Sequence, residues 1–182
     1  MKHWRPLDLK ALSEDTQKVY DVLNHEPDMP CVLIGTSYVA ELLATLLKEH
    51  FIASSVVDRI LDPQRGAIGG LATRADVAYC MGLIKKSAYQ DLMKIAEIRN
   101  LFAHKHLALD FGDSTVREAC EALESWKMLL LGEDENVPDD VTSDELRARA
   151  RNQFKISVAL LAQRIHVDAL SRKREKETKA PA

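Results

Sequence analysis

Cysteine, glycine, proline and aromatic residues are all scarce in this sequence. Its 182 residues include three Cys, seven Gly, six Pro and 5% aromatic side chains. The cysteines, Cys31, Cys80 and Cys120, are odd in number and widely spaced, which excludes a disulfide framework and a CxxC metal knuckle. Few turn-forming residues, beside abundant Ala, Leu, Glu, Lys and Arg, favour helices over a turn-rich β architecture. We therefore expect reduced thiols in a cytoplasm and an all-α fold.

Long apolar runs are also missing. No apolar run reaches about 18 residues, and the N-terminus lacks the continuous apolar stretch of a secretion signal. The 46% hydrophobic residues suffice for one substantial core, and the 29% charged residues are typical of a globular chain. We expect a cytoplasmic protein that neither enters nor crosses a membrane.

Charge is unevenly distributed along the chain, although the net charge is only -3. Seven acidic residues and no basic one lie between Glu133 and Glu145, whereas ten Lys or Arg and three acids follow from Arg147 onward. This basic section permits contact with nucleic acid or an acidic partner, with Arg147, Arg151 and Lys155 as candidate residues. The alternative is a solvated helix with a charged, frayed tail.

Helical periodicity and capping residues divide the sequence into six or seven helices. Predicted helices begin after Asp8 or Ser13, at about Cys31, after Ser54 or Ser55, at about Leu71, at Ser87, after Ser114 and after Ser143. The second helix has few polar positions, which indicates a central buried helix. We predict an all-α, single-domain bundle, with a helical core over residues 1–135, a C-terminal helix over 141–171 packing on it, and a flexible basic tail over 172–182.

Two motifs are distinctive. In residues 61–84, a Gly-rich loop leads into a helix with the pattern Arg-x-x-x-Ala-Tyr-x-x-Gly-Leu-Ile, and a later helix ends in Ile-Arg-Asn-Leu-Phe-Ala-His at residues 98–104. In this order they resemble the mannitol repressor (MtlR/MltR) family of small all-helical bacterial proteins. The resemblance spans about Leu33 to Leu129, and leaves the first helix and the C-terminal forty residues outside. It implies a repressor-type transcriptional regulator, and we expect this regulator to be a homodimer that acts through protein contacts.

The second motif alone also resembles the Arg-x4-His signature of HEPN domains, with Arg99 and His104 at the signature positions and Asn100 supporting. That resemblance implies metal-independent RNA cleavage in a dimer groove, with His104 as general acid or base and Arg99 neutralising phosphate. On an ideal helix the two residues lie about 140° apart, so they converge only if the helix loosens or a second subunit contributes. Alternatively, Arg99 pairs with a buried carboxylate such as Asp58 or Asp76. His104 then caps its helix.

The Gly-rich loop, with Arg65 and Arg74 nearby, allows two interpretations. It is either a phosphate cradle at a helix N-terminus or a tight turn between helices. The residues match neither the P-loop nor the dinucleotide fingerprint, and no strand precedes them, which favours the turn. Arg74 and Asp76 are charges in an otherwise apolar helix, and we expect them to be paired in the interior or at a subunit interface.

The sequence gives no reason to expect a cofactor or metal. His104 and His106 have a spacing that suits no helix face, and a His-Glu-x-x-His arrangement is missing. No helix-turn-helix with a polar recognition helix is evident, so the basic section could contact phosphates without reading bases. Regulation through a protein partner is the first hypothesis for function. A HEPN-type endoribonuclease is the alternative, so the sequence leaves enzymatic activity undecided.

Overall fold

The computed structural model describes residues 5–104, 109–129 and 141–179, without the side chains of His104 and of residues 171–179. Within these ranges the chain forms seven α-helices, two 3-10 helices and no strand, which confirms the predicted all-α, single-domain bundle. The α-helices are α1 (Glu14–His25), α2 (Asp28–Lys48), α3 (Ser55–Ile60), α4 (Leu71–Cys80), α5 (Lys86–His104), α6 (Ser114–Glu121) and α7 (Ser143–Lys179), and the 3-10 helices are Leu9–Ala11 and Ser125–Leu129.

Two predicted helix starts are confirmed by their capping hydrogen bonds. The Ser13 hydroxyl accepts from the Thr16 N–H at 3.3 Å at the start of α1, and the Ser54 hydroxyl accepts from the Val56 N–H at 3.2 Å at the start of α3. Each hydroxyl satisfies one of the N–H groups that a helix N-terminus leaves unpaired.

Two other caps differ by one residue from the prediction. Asp113, rather than Ser114, caps α6 by accepting from the Thr115 N–H at 2.9 Å. At α7 the cap is Thr142 rather than Ser143, because Thr142 and Glu145 form a reciprocal capping box in which each side chain accepts from the other's backbone N–H. Adjacent Ser, Thr and Asp residues make such shifts hard to resolve from sequence.

The helix predicted to run from Ser114 through Leu130 is interrupted. α6 ends at Glu121, and the chain turns into the 3-10 helix Ser125–Leu129. The buried carboxylate of Asp91, on α5, accepts from the Glu124 and Ser125 N–H groups at 2.8 Å each and from the Ser125 hydroxyl at 2.5 Å. A carboxylate from another helix therefore fixes this turn.

Helix α2 is central to the bundle, as its apolar sequence predicts. It packs against α1, α4, α5 and α7, and a Cβ on Gly35 would lie only 3.2 Å from the Phe154 ring of α7. It begins at Asp28, ahead of the predicted start, because Pro30 falls in the first turn, where a missing N–H costs no hydrogen bond.

Among the described helices, α2 is also the one long and apolar enough to span a membrane by length and composition. The polar residues Thr36, Ser37 and Glu41 interrupt its apolar runs, which explains why no continuous run is visible in the sequence. Because α2 packs against four other helices, its apolar character is that of a core helix.

Three fully buried phenylalanines join distant parts of the chain. Phe111 lies between Phe102 of α5 and Phe154 of α7, with ring centroids 5.6 and 5.7 Å apart and the rings tilted. Tilted rings at this separation are a favourable aromatic arrangement. The segment before α6 is thus anchored between α5 and α7.

A buried ion-pair cluster at the N-terminus of α2 fastens α7 to the bundle. Asp28 accepts from the Phe111 N–H at 3.2 Å, from Arg147 Nη2 at 2.9 Å and from Arg151 Nη1. Arg151 also donates to the carbonyl oxygens of Leu23 and Glu26. One carboxylate therefore connects α2, α7 and the segment before α6.

Helix α7 continues past the predicted end of the C-terminal helix at residue 171. Its backbone is helical as far as Lys179, so residues 172–179, which were predicted to belong to the tail, continue the helix. Residues 136–140, between the predicted core and the predicted C-terminal helix, lie outside the described residues. The division into these three parts stays a prediction.

Replacing Asp28 should destabilise the protein strongly. Asp28→Asn removes the charge that Arg147 and Arg151 share, and loss of one partner from a buried ion pair costs about 3 kcal/mol. We expect a decrease of that size in the free energy of unfolding, measured by urea titration followed by circular dichroism. Asp58→Asn is the matched control: its ion pair with Lys48 is exposed, so the decrease should stay below about 1 kcal/mol. Equal effects would contradict the role given to Asp28.

The contribution of Asp28 to the free energy of unfolding should also depend on pH. Burial raises the pKa of Asp28, but hydrogen bonds from Phe111, Arg147 and Arg151 outweigh burial and hold the pKa below its ordinary value. Its stabilisation is therefore complete above the unfolded pKa, near 4, and is lost as the pH falls through the folded pKa. The difference in unfolding free energy between wild type and Asp28→Asn should shrink below about pH 4. A difference that stays constant from pH 7 to pH 3 would show that ionisation of Asp28 is not its source.

Candidate functional site

The predicted turn interpretation of the Gly-rich loop fits its geometry. The Ile68 N–H donates to the Ile60 carbonyl at 2.8 Å, which folds the loop back onto the end of α3. A Cβ on Gly66 would lie 2.3 Å from the Ile60 carbonyl oxygen, and one on Gly69 would lie 2.4 Å from that of Asp62. The backbone approaches itself so closely that neither glycine accepts a side chain.

Arg74 holds this loop in place. Its side chain is only 3% exposed and donates to the carbonyl oxygens of Ile68 at 3.0 Å, Ala40 at 2.8 Å and Leu61 at 2.5 Å. Burial lowers the pKa of Arg74, and the nearby carboxylate of Glu41 opposes that shift. Arg74 is therefore held in the interior by backbone carbonyl oxygens rather than by a carboxylate.

Asp76 lies on the surface, so it is not paired in the interior, and its pairing at a subunit interface stays a prediction. Its carboxylate accepts from the Tyr89 hydroxyl at 2.9 Å, and the Tyr89 ring stacks on Tyr79 with centroids 4.7 Å apart. The hydrogen bond to Asp76 raises the pKa of Tyr89. Asp76 thereby fixes the orientation of a tyrosine ring at the surface where α4 meets α5.

A mainly apolar groove of about 890 Å³ runs along α5 beside this tyrosine pair. We call it the apolar groove; it is lined by Ala72, Tyr89, Gln90, Asp91, Met93, Lys94, Ala96, Glu97, Asn100, Leu101, Ala122 and Glu124. Its apolar side chains, including Met93 and Leu101, pack against the core from one side and are half-exposed on the other. The charged residues Lys94 and Glu97 form an ion pair at 2.9 Å.

A second concavity, of about 410 Å³, lies where α2, α4 and α5 meet, and we call it the α4 cavity. It is lined by Thr36, Ser37, Ala40, Glu41, Pro63, Gly69, Gly70, Leu71, Ala72, Arg74, Ala96, Arg99 and Asn100. Ala72, Ala96 and Asn100 line both concavities, so the two are neighbours. Two residues of the Arg-x4-His motif, Arg99 and Asn100, therefore lie in this cavity.

The alternative pairing of Arg99 is wrong for the described side chains. Arg99 is exposed and donates to the side-chain oxygen of Asn100 at 3.3 Å. Asp58 instead pairs with Lys48 at 2.5 Å, and Asp76 binds Tyr89. The backbone of His104 ends α5, but its side chain lies outside the described residues, so the proposed catalytic pair and the helix cap stay predictions.

The basic residues of α7 that were predicted to bind an external partner make contacts within the chain, although Arg147 stays about half exposed. Arg147 and Arg151 bind Asp28, and Lys155 is buried and donates to the Asn24 side-chain oxygen at 2.7 Å. Burial lowers the pKa of Lys155. These three cations fasten α7 to α1 and α2, and their contact with nucleic acid or an acidic partner stays a prediction. Arg65, by contrast, is exposed on the Gly-rich loop.

In the described part of the chain, no group of three or more His, Cys, Asp or Glu residues is arranged to hold a metal ion. His106 lies outside the described residues, as does the side chain of His104. The three cysteines are free thiols, with Cys31 and Cys120 buried and Cys80 exposed. Burial raises the pKa of Cys31 to about 11, so it is a protonated, unreactive core side chain near neutral pH.

Comparison with known families gives the decisive observation. A family model described as mannitol repressor matches residues 18–170. The chain belongs to this family. The match includes most of α1 and most of α7, which the resemblance of the two motifs left outside. Both helices pack on α2 as part of one bundle. No curated protein matches the chain significantly.

A solved structure of the same fold belongs to a complex. It is described as the X-ray structure of the MtlR–HPr complex from Escherichia coli, and it matches this mannitol repressor family member with a TM-score of 0.66 at 18% identity. The match covers 85% of this chain and 99% of that one. Neither comparison supports the endoribonuclease alternative.

Sequence reasoning missed Asp28 and Asp91, the two buried carboxylates that organise the bundle. Asp28 follows a proline at the start of a helix. An acidic residue at this position usually faces solvent and interacts favourably with the positive end of the helix dipole. Asp91 lies within an amphipathic helix and gives no local signal of burial. Their partners come from distant segments, so residue patterns alone could not identify them.

Removing the Arg74 guanidinium should destabilise the Gly-rich loop. Arg74→Met keeps the apolar stem but leaves the carbonyls of Ile68, Ala40 and Leu61 without this donor, and we expect the free energy of unfolding to fall by about 2–4 kcal/mol. Thermal or urea unfolding measures the change. Arg65→Met, in the same loop but exposed, should change stability by less than about 0.5 kcal/mol. Similar losses in both variants would argue against a structural role specific to Arg74.

Proposed function

We propose that this chain is a repressor-type transcriptional regulator that acts by binding a protein partner, HPr or a protein like it, in the bacterial cytoplasm. The observation that carries the proposal is the fold match that covers 99% of MtlR in its complex with HPr. Membership of the mannitol repressor family supports the regulatory role. We further propose that the chain is a homodimer, which a light-scattering mass would test.

The apolar groove is the surface best suited to this partner. Stable protein interfaces place apolar and aromatic side chains at the centre and polar side chains at the rim. The groove has this arrangement, with Met93 and Leu101 half-exposed, Tyr89 fixed by Asp76, and the Lys94–Glu97 ion pair beside them. Its residues come largely from one face of α5, a rigid helix that can present them without rearrangement.

Protein contact also suits the charges of α7 better than nucleic-acid binding does. Arg147, Arg151 and Lys155 are engaged with Asp28 and Asn24, so phosphate binding by them would require breaking contacts that hold the bundle together. Arg149 pairs with Glu121 at 3.3 Å, and the basic residues beyond residue 171 have no described side chains. Their contact with RNA or DNA stays a secondary hypothesis, which the salt dependence of binding would test.

A charge placed in the apolar groove should disrupt partner binding. Met93→Glu buries a carboxylate against the incoming apolar surface, and we expect it to lower the affinity for HPr from the same genome at least tenfold. Isothermal titration calorimetry measures this change. Ile52→Glu is the matched control, since Ile52 is 83% exposed and does not line the groove, so its affinity should stay within about twofold of wild type.

Three results distinguish the possibilities. Loss of binding in folded Met93→Glu with retention in Ile52→Glu supports both the partner and the surface. Equal affinity in both variants would place the partner elsewhere on the protein. No measurable affinity of the wild type for HPr would overturn the proposed partner, whatever the variants do.

A further inference from the structure

The apolar groove is lined by more than one segment of the chain. Most of its residues belong to α5, including Met93 and Leu101. Two others, Ala122 and Glu124, lie in the turn at residues 122–124, between α6 and the 3-10 helix Ser125–Leu129. We call this segment the α6 turn. The shape of the groove therefore depends on how the α6 turn is held against α5.

A side chain of α5 itself holds the α6 turn. Asp91 accepts from the Glu124 N–H at 2.8 Å through Oδ1, and from the Ser125 N–H at 2.8 Å and the Ser125 hydroxyl at 2.5 Å through Oδ2. Asp91 is among the groove residues, but it is only 2% exposed. It therefore supports the groove from within the protein and does not itself contact what binds there.

These bonds replace a helix cap that the local sequence does not supply. The first N–H groups of a helix have no partner inside it, and the residue before the helix usually caps them with its own side chain. Here that residue is Glu124, whose carboxylate instead pairs with Lys127 at 2.7 Å. Asp91 takes the role of the cap, so the start of the 3-10 helix is fixed to α5 rather than to its own sequence neighbours.

A buried carboxylate joins two segments in a different way from an apolar side chain. An apolar residue at position 91 would pack without the free-energy cost of removing a charge from water. The three donors offset that cost for Asp91. They also fix distances and directions, because a fully satisfied buried polar group accepts only one arrangement of its partners. Asp91 therefore specifies the position of the α6 turn relative to α5.

We propose that Asp91 is a positioning residue for protein binding: it holds the α6 turn at the separation from α5 that the partner's apolar surface fits. This role rests on the function proposed for the apolar groove. A groove whose sides are already in place needs little ordering when the partner binds, which favours affinity. Without the bonds to Asp91, Ala122 and Glu124 would take several positions, and binding would have to order them.

Asp91→Asn tests this role in the full chain. It preserves the shape of the side chain, but its amide NH₂ places a donor where the α6 turn needs an acceptor. We expect its affinity for HPr from the same genome, measured by isothermal titration calorimetry, to fall about fivefold or more. Ser125→Ala removes the hydroxyl bond and keeps both backbone bonds to Asp91, so it should bind within about twofold of wild type.

A second variant makes the test independent of the folding of Asp91→Asn. Ser125→Pro removes both the N–H and the hydroxyl that donate to Asp91 Oδ2. Ser125 is the first residue of its 3-10 helix, a position at which a helix accommodates proline. Its affinity for HPr should fall in the same direction as that of Asp91→Asn.

Two further measurements separate positioning from a general loss of stability. Asp28→Asn weakens the fold through residues that do not line the groove, so its folded form, checked by circular dichroism, should bind HPr within about twofold of wild type. Amide hydrogen exchange followed by nuclear magnetic resonance needs no partner. The Glu124 and Ser125 amides should exchange about tenfold faster or more in Asp91→Asn than in wild type, and the amides of α2 should accelerate less.

The results distinguish this role from the proposed function itself. Weaker binding by Asp91→Asn or Ser125→Pro, with faster exchange at Glu124 and Ser125, supports the positioning role. Wild-type affinity retained by both folded variants would overturn that role and leave HPr as the partner. Weaker binding with unchanged exchange at the two amides would overturn the action through the α6 turn. No measurable affinity of the wild type for HPr would overturn the partner and this role together.

Discussion

The position of α7 depends on one buried carboxylate. Asp28 binds two arginines of α7 and the Phe111 N–H, so the α1–α2 junction, the segment before α6 and the long C-terminal helix meet at its two oxygens. A carboxylate with three such donors is stable in the interior, whereas the same group with one partner removed is costly. Ion pairs require defined distances and directions. This ion cluster therefore restricts the position of α7 more than apolar contacts alone would.

Helix α5 separates two chemically different concavities. On one side it presents Met93 and Leu101 to the apolar groove, and on the other it presents Arg99 to the α4 cavity. Asn100 lines both and accepts from Arg99.

Local features of this fold could be predicted from the sequence, and long-range ones could not. The local features are the helical periodicity, the caps at Ser13 and Ser54, and the tight Gly-rich turn. Each depends on residues that are close in sequence, so the residue pattern indicates it. The acceptors of Arg74 are backbone carbonyls, which carry no side-chain signature. The cations of α7 have the spacing of a solvated helix, and only packing shows that Arg151 and Lys155 turn inward.

The Asp28 cluster also bears on how the chain is made. Arg147 and Arg151 lie 119 and 123 residues after Asp28, so the ribosome must synthesise the whole intervening segment before these cations are present. Until then, the N-terminal helices cannot bury this carboxylate with its native partners. Emergence of α7 from the ribosome exit tunnel therefore sets the earliest point at which a nascent chain can reach its complete core.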